Sequence, residues 1–241
     1  MGKLVELSDR MRSIADMVTP GNVVCDVGCD HGFLSIYLVQ SKIAPFVIAM
    51  DVKSGPLSGC EKHVEQYGLK QYITMRLSDG LNALEEGEAD TVIIAGMGGR
   101  LMQKILTEGC DKAVRVKELI LQPQSEIRAF REFLRWSGCQ IVAENLIEEE
   151  GKFYPMMKVI PGSLRGTDEE DDLKQTVYDR FGKLLLQDQS PGLLRFLKER
   201  EQLLCRIRGE IISVSGDRAL ERLKEIEDEL RDIETAYEYY K

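Results

Sequence analysis

The chain of 241 residues is poor in the groups that build metal centres and secreted scaffolds. It has two histidines, His31 and His63, and six scattered cysteines (Cys25, Cys29, Cys60, Cys110, Cys139, Cys205) with no CxxC pair. No zinc-ligand spacing emerges, so no metal is expected, and a disulfide framework does not suit a chain of this length. The thiols read as buried or idle groups in a reducing compartment. Long apolar runs are missing too: TVIIAGM is far too short to span a bilayer. The opening stretch, MGKLVELSDRMRSIADMV, is charged throughout and lacks the apolar core of a signal peptide. A soluble, cytoplasmic protein without a membrane partner is expected. Nor is there a basic excess. The formal charge of −9 argues against a surface coated in cations, although a nucleic acid needs only a local cationic face.

What is present is an alternation of strand-like and helix-like segments through the first two thirds. Leu7, Met11, Ile14 and Met17 recur at helical spacing, with Ser8 placed to cap the first turn. There follow the strand candidates NVVCDV, FVIAMD, YITMRL, TVIIAG and ELILQ. Helix candidates FLSIYLVQS, GPLSGCEKHVEQYG, RLMQKILTEG and IRAFREFLRWSG are interleaved with them. This order predicts parallel strands joined by right-handed crossovers, and their uncharged middles suit a sheet covered on both faces. QIVAENLI and PMMKVI break the rhythm. The connector between them, EEEGKFY, is too short for a crossover helix, so they are expected to pair as an antiparallel edge hairpin. The expected class is α/β: a Rossmann-like, doubly wound, mainly parallel sheet with an antiparallel edge hairpin, an architecture that resembles the common methyltransferase fold.

PGSLRGTDEEDD, from Pro161, marks a boundary of turn residues and acidic charge. Domains are expected at 1–162 and 163–241. Beyond the boundary helical periodicity takes over. Leu173, Val177, Phe181 and Leu184/Leu185 form one apolar stripe, ended by Gln189-Ser190-Pro191-Gly192. Leu197, Leu204, Ile207, Ile211 and Val214 form a second, and Leu223, Ile226, Leu230, Ile233 and Tyr237 a third. The last two predict an antiparallel, coiled-coil-like helical hairpin.

The stretch VVCDVGCDHGFLSIYL, Val23 to Leu38, carries the chemistry. A strand runs into Asp-x-Gly-x-x-x-Gly and then into an apolar helix. A dinucleotide, a nucleotide and S-adenosylmethionine all use such a turn. Here position 30 is Asp where a dinucleotide fingerprint has glycine against pyrophosphate. A carboxylate there repels phosphate, whereas it suits the ammonium and sulfonium of S-adenosylmethionine. Asp51 ends the second strand about twenty residues on, the usual place for a ribose-binding carboxylate. Asp79 follows the third strand, placed to accept from an adenine amino group. Asp26, Asp51 and Asp79 thus follow successive strands at the carboxyl edge, where open sheets bind ligands. The fourth strand ends in AGMGGRL, either a tight turn or a backbone that must approach a ligand closely.

Taken together, CDVGCDHGFL, AGMGGRL, LILQPQ and EEEGKFY resemble the bacterial tRNA (adenine-N1)-methyltransferases that modify adenine 22 of tRNA. The resemblance runs nearly end to end. It implies a Rossmann-like catalytic domain, a helical extension, S-adenosyl-L-methionine as cofactor, and tRNA as the partner; separately, a monomer is expected. By the same resemblance Asp26, Gly28, Asp30 and Gly32 form the cofactor turn and Asp51 binds ribose, where the family also uses Glu. Asp79 lies on the adenine side of the cofactor site, where the family also has Asn. Gly96, Met97 and Gly98 line the methyl-transfer cleft, and Gln122 and Pro123 floor the base pocket. After that proline the family often has Asn; this chain has Gln124.

Adenine N1 carries a free lone pair at neutral pH, so positioning matters more than a strong base. Asp30 either stabilises the cation that develops on the base or binds the cofactor's ammonium. His31 orients Asp30, contacts the base, or packs at the helix start. For RNA contact the candidates are Arg10, Arg12 and Arg100, and a strip of Arg195, Lys198, Arg200, Arg206 and Arg208 in the helical region. Two other readings stay open: methylation of a small molecule under a helical lid, and a non-catalytic nucleoside binder with a protein-docking hairpin.

Overall fold

The protein is described here by a computed structural model covering residues 4–162, 172–211 and 217–241. The chain divides into two compact units, residues 1–167 and 168–241. The boundary stretch 163–171, the side chain of Leu173, and Val214 lie outside the described residues.

The first unit is built on seven strands: β1 (Val24–Val27), β2 (Val47–Asp51), β3 (Ile73–Leu77), β4 (Thr91–Met97), β5 (Glu118–Pro123), β6 (Gln140–Glu149) and β7 (Lys152–Ile160). They form one sheet in the order β3-β2-β1-β4-β5-β7-β6. The first five strands are parallel, and β7 pairs antiparallel with both β5 and β6. All seven expected strands form, and the hairpin occupies one edge. The chain winds outward through β2 and β3 on one side of β1 and through β4 and β5 on the other. Such a reversal opens a crevice beyond the carboxyl ends of β1 and β4.

Period-two alternation sorts the strand residues between two cores. Val24, Val47, Ala49, Ile93, Ile120 and Met156 pack on one face with Ile14, Leu34, Ile36, Leu38, Cys60 and Val64. Those partners come from α1 (Asp9–Asp16), α2 (Phe33–Gln40) and α3 (Ser54–Gln66). Cys25, Ile48, Met50, Val92, Ile94, Leu119, Leu121 and Val159 face the other way, against Met102, Ile105, Leu106, Phe130 and Leu134. Those come from α4 (Gly99–Glu108) and α6 (Ile127–Trp136); a short α5 (Cys110–Ala113) lies between these two helices in the chain. A buried Leu or Ile contributes roughly 1.5–3 kcal/mol, so the two cores hold the sheet as a rigid base for its edge.

The hairpin is tighter than its connector suggests. EEEGKFY is mostly strand, because pairing continues to Glu149↔Lys152. The turn is only Glu150-Gly151, with φ of 52° and 71°, the left-handed pair that two-residue hairpin turns require. At the amino end of β5, buried Glu118 accepts from Thr19 N (2.8 Å), Thr19 Oγ1 (2.6 Å) and Thr91 Oγ1 (2.9 Å), and pairs with Lys158 (2.8 Å). Burial pushes its carboxyl pKa up, but these partners together hold it below the ordinary value.

The second unit is helical: α7 (Asp172–Phe181), α8 (Lys183–Gln187), α9 (Pro191–Ile211) and α10 (Asp217–Tyr237), ending in a short 3-10 turn. The first expected stripe is broken at Gly182 (φ 97°), which splits it into α7 and α8. Val177, Phe181, Leu185, Leu186, Leu197, Leu204, Ile226 and Ile233 are buried. Around this core, Arg200 forms a forked pair with Glu229 (2.6 and 2.9 Å), and Arg180 pairs with Asp232 (2.7 Å).

Candidate active site

β1 runs out at Val27 into a turn that only small or left-handed residues can make. Gly28 and Gly32 both have φ of 75°, and Asp30, between them, has φ of 50°. Space is as tight as the backbone is bent. A Cβ on Gly32 would collide with Cys60 Sγ, and one on Gly28 with the terminal methyl of Met97. The turn is pinned to β2, since Gly28 N and Cys29 N both donate to Met50 O, at 2.8 and 3.0 Å. Those amides are therefore spent and do not form an anion cradle.

The carboxylates of this edge have different environments. Asp26 is buried and accepts from Ser35 Oγ at 2.7 Å, joining β1 to α2. Burial pushes its pKa up to about 6; the Ser35 hydrogen bond opposes this and the Asp51 charge adds to it. Asp51 accepts from Lys53 N at 2.9 Å and from Asp30 N at 3.4 Å, so it is oriented by backbone at the end of β2. Asp79 is exposed just beyond β3. Its loop is fixed by Ser78 Oγ, which donates to Gly80 O (2.9 Å) and accepts from Ala83 N (3.0 Å).

Asp30 and His31 stand at the rim, with His31 Nε2 3.7 Å from Asp30 Oδ1 and side chains 55% and 72% exposed for His31 and Asp30 respectively. His31 is half-exposed, and its ring also stands 6.0 Å from the His63 ring and 6.3 Å from the Phe33 ring. Its carbonyl lies 3.0 Å from His63 Nδ1, and the His63 ring stacks on Phe33 at 4.6 Å between centroids. Both histidines of the chain meet here, an encounter that their separation of 32 residues did not signal.

The glycines of AGMGG have separate causes. At Gly96 (φ 76°) β4 bulges, its register to β5 shifting between Ala95↔Gln122 and Met97↔Pro123. Gly96 is exposed, and a Cβ there would come within 3.7 Å of Gln124 Nε2 and 3.8 Å of Arg10 Nη1. Gly98 and Gly99 face the turn after β5: a Cβ would meet Ser125 Oγ at 2.9 Å and Ser125 O at 2.7 Å. Gly99 N donates to Ser125 O (3.1 Å), and Gln124 N to Met97 O (2.8 Å).

The expected RNA-contacting arginines divide. Arg10 is largely covered: Nη1 donates to Gln122 Oε1 (2.9 Å), Nε lies 3.6 Å from Glu149 Oε2, and the guanidinium sits 4.9 Å over the Tyr154 ring. Gln122 and Pro123 are buried, so they support the cleft from within. Arg12 is exposed beside Tyr37, and Arg100 is 85% exposed with Glu126 at 3.4 Å. In the helical unit Arg200 is taken up by Glu229; Lys198, Arg206 and Arg208 are exposed, as is Arg195, which also makes a contact of its own. The edge thus gathers Asp26, Gly28, Asp30, Gly32 and Asp51 around one turn, with Met97 over it and Gly96 beside it; Asp79 ends the neighbouring strand. Sequence reasoning missed Ser35, Cys60, His63, Glu149 and Tyr154, which act by packing or pairing across the fold. No Lys or Arg among the described residues forms an ion pair with Asp26, Asp30, Asp51 or Asp79, and such carboxylates suit a ligand of hydroxyls and positive charge rather than phosphate. Among the described residues no three His, Cys, Asp or Glu side chains converge as a metal site, and no helix is long and apolar enough to cross a membrane.

Residues 7–157 match the family model described as a methyltransferase domain. The chain is 37% identical over 153 residues to the tRNA (adenine(22)-N(1))-methyltransferase of Bacillus subtilis, a match covering 64% of each chain. It thus spans somewhat under two thirds of that relative's length. A crystal structure of the B. subtilis m1A22 tRNA methyltransferase TrmK superposes with a TM-score of 0.84 at 29% identity, over 96% of this chain and 99% of that one. Streptococcus pneumoniae Sp1610, described as a candidate tRNA (m1A22) methyltransferase and solved with S-adenosyl-L-methionine, gives 0.81 at 34% identity over the same shares.

Proposed function

The chain belongs to the methyltransferase-domain family and, within it, to the tRNA (m1A22) methyltransferases, and on that premise we propose that it methylates N1 of adenine 22 in tRNA. S-adenosylmethionine supplies the methyl group on a sulfonium that is electrophilic without further activation. The observation that carries the reading is the acidic glycine turn whose Gly28 and Cys29 amides are already bonded to Met50 O. It rejects pyrophosphate and favours a cationic nucleoside.

Asp51, oriented by the amides of Lys53 and Asp30, accepts from ribose hydroxyls. Asp79 receives the adenine amino group at the adjacent strand end. Asp26 acts from below: its bond to Ser35 fixes the entry of α2 and hence the turn. Asp30 presents its exposed carboxylate to positive charge, either the cofactor's ammonium or the cation formed on the target base. Gly96 leaves a floor without a side chain for that base, while Gln122 and Pro123 hold the floor from beneath. No proton need leave N1 before it reacts, so the residues contribute alignment rather than base strength. Arg12 and Arg100 in the first unit, and Arg195, Lys198, Arg206 and Arg208 in the second, are cations exposed where phosphates can reach them. Arg10 and Arg200 serve internal pairs.

The test is transfer of labelled methyl to an unmodified tRNA transcript followed by nucleoside analysis. N1-methyladenosine that disappears when adenine 22 is replaced supports substrate, atom and position together. No transfer while cofactor still binds would sink the tRNA reading and leave a small-molecule substrate or a nucleoside-binding protein.

A further inference from the structure

Two polar side chains flank the exposed Gly96 floor, and they are not equivalent. Arg10 Nη1 is committed to Gln122 and its guanidinium is held by Glu149 and Tyr154. The Gln124 side-chain amide makes no hydrogen bond to any described residue, although its Nε2 sits 3.7 Å from where a Gly96 Cβ would be. Its backbone is fixed all the same. Gln124 N donates to Met97 O, and the following Ser125 is pressed against Gly98 and Gly99. Gln124 is exposed, so its donor and acceptor stand open to solvent or to a planar ligand edge, on a pinned backbone beside a floor with no side chain.

From this juxtaposition we infer that Gln124 selects adenine as the base to be methylated. Its Oε1 accepts from the N6 amino group and its Nε2 donates to N7, the bidentate pairing that glutamine makes with adenine. The inference rests on the tRNA reading above and specifies how that site chooses its base. The pairing uses the Hoogsteen edge and so leaves N1 uncovered for the incoming methyl. Guanine fails the same test. Its O6 and N7 are both acceptors, and whichever way the amide turns, one of them faces the amide oxygen. Pyrimidines have no N7. The contact also favours the reaction itself: as N1 gains the methyl, positive charge spreads to N6, whose N–H becomes a stronger donor to Oε1.

The experiment compares tRNA transcripts carrying adenosine or 7-deazaadenosine at position 22, with wild type and Gln124→Leu, and reads kcat/KM and cofactor affinity. Deaza substitution removes the N7 acceptor and keeps N1 and N6, and the leucine variant reports the intrinsic reactivity of the deaza base. Wild type should prefer adenosine by about tenfold more than the variant does. Gln124→Leu should lose roughly ten- to a hundredfold on adenosine, mostly in kcat, with cofactor affinity unchanged. Gln124→Asn, which keeps the amide one methylene shorter, should recover part of the loss. Equal discrimination by wild type and Gln124→Leu, with adenine 22 still methylated, overturns the role of Gln124 alone. No transfer by wild type to any adenine of tRNA overturns the function on which the inference rests, and the inference with it.

Discussion

Arg10 Nη1 donates to Gln122 Oε1 across 2.9 Å, tying α1 to the carboxyl end of β5. The two residues are 112 positions apart, and the bond closes one wall of the cleft beside Gly96. Gln122 is fully buried and its amide nitrogen is also used, on Pro123 O at 3.1 Å. With Glu149 and Tyr154 on the guanidinium, an arginine with the look of an RNA contact becomes a strut of the site.

Gln122→Leu keeps the volume and removes the acceptor, leaving Arg10 without this partner. An unsatisfied charged donor costs roughly 1–3 kcal/mol, which urea unfolding will read as a lower midpoint with unchanged slope. Adding Arg10→Met should cost less than the sum of the two single changes, because both remove one bond. Additive losses would separate the two residues.

Asp26 makes stability depend on pH in an unusual direction. Its folded pKa of about 6 lies above the unfolded value of 3.8, raised by burial. Between those values the folded state holds the proton and the unfolded state does not, so this group's contribution is fully present below pH 3.8 and is lost as pH rises through 6. The loss between pH 5 and pH 7 is about 1 kcal/mol. Asp26→Asn cannot titrate. The difference in unfolding free energy between variant and wild type should therefore shift by about that amount over this range, in favour of the variant at pH 7. A pH-independent difference would place the shift elsewhere.

Much of this architecture is legible in the chain because alternation and turn residues are local signals. NVVCDV, FVIAMD and TVIIAG could be assigned as strands because each is a short, nearly uncharged apolar run bounded by turn residues, as a strand covered on both faces requires; the structure then sorts their residues between the two cores. Gly28 and Gly32 stand out because a left-handed turn admits little else. What escaped is pairing over distance. No spacing rule brings Glu149 and Tyr154 to Arg10, or His63 to His31, and none tells that Arg200 is bound by Glu229 rather than facing solvent. The EEEGKFY connector misled for a simpler reason: its charges look like a loop, but Glu149 and Lys152 pair across a two-residue turn.

Gly32→Ala should be the costlier of the two turn substitutions. Both glycines have φ of 75°, a penalty of about 1–2 kcal/mol for a residue with a Cβ. At Gly32 the new carbon also meets the buried Cys60 thiol, whereas at Gly28 it meets the mobile end of Met97. Thermal melts should rank Gly32→Ala below Gly28→Ala, and Cys60→Ala should restore part of the former and none of the latter. Gly28→Ala should instead weaken cofactor binding, read by titration calorimetry.

Asp51→Asn replaces a carboxylate that backbone amides already orient, so the fold should hardly notice. Hydrogen bonds from ribose hydroxyls to the neutral amide are weaker, and one amide end is a donor. A tenfold to hundredfold loss of S-adenosylmethionine affinity is expected, on the order of 1.5–3 kcal/mol for hydrogen bonds to a charged group. Unchanged affinity would move the ribose contact to another residue.

The cations of α9 should separate by face. At 3.6 residues per turn Arg195, Lys198 and Arg206 fall within an arc of about 80°, opposite the buried Leu193, Leu197 and Leu204. Arg200 points toward the core side, where Glu229 takes it with two bonds. Lys198→Glu with Arg206→Glu should therefore weaken tRNA binding and lower the salt slope by about 1 for each phosphate left unneutralised, with little change in melting temperature. Arg200→Met should do the reverse: unfolding should be easier by about 1 kcal/mol, after allowing for its partial exposure, with the salt slope of tRNA binding unchanged. A reduced salt slope in Arg200→Met alone would mean that Glu229 releases the guanidinium to the RNA, and that the exposed face of α9 does not contact it.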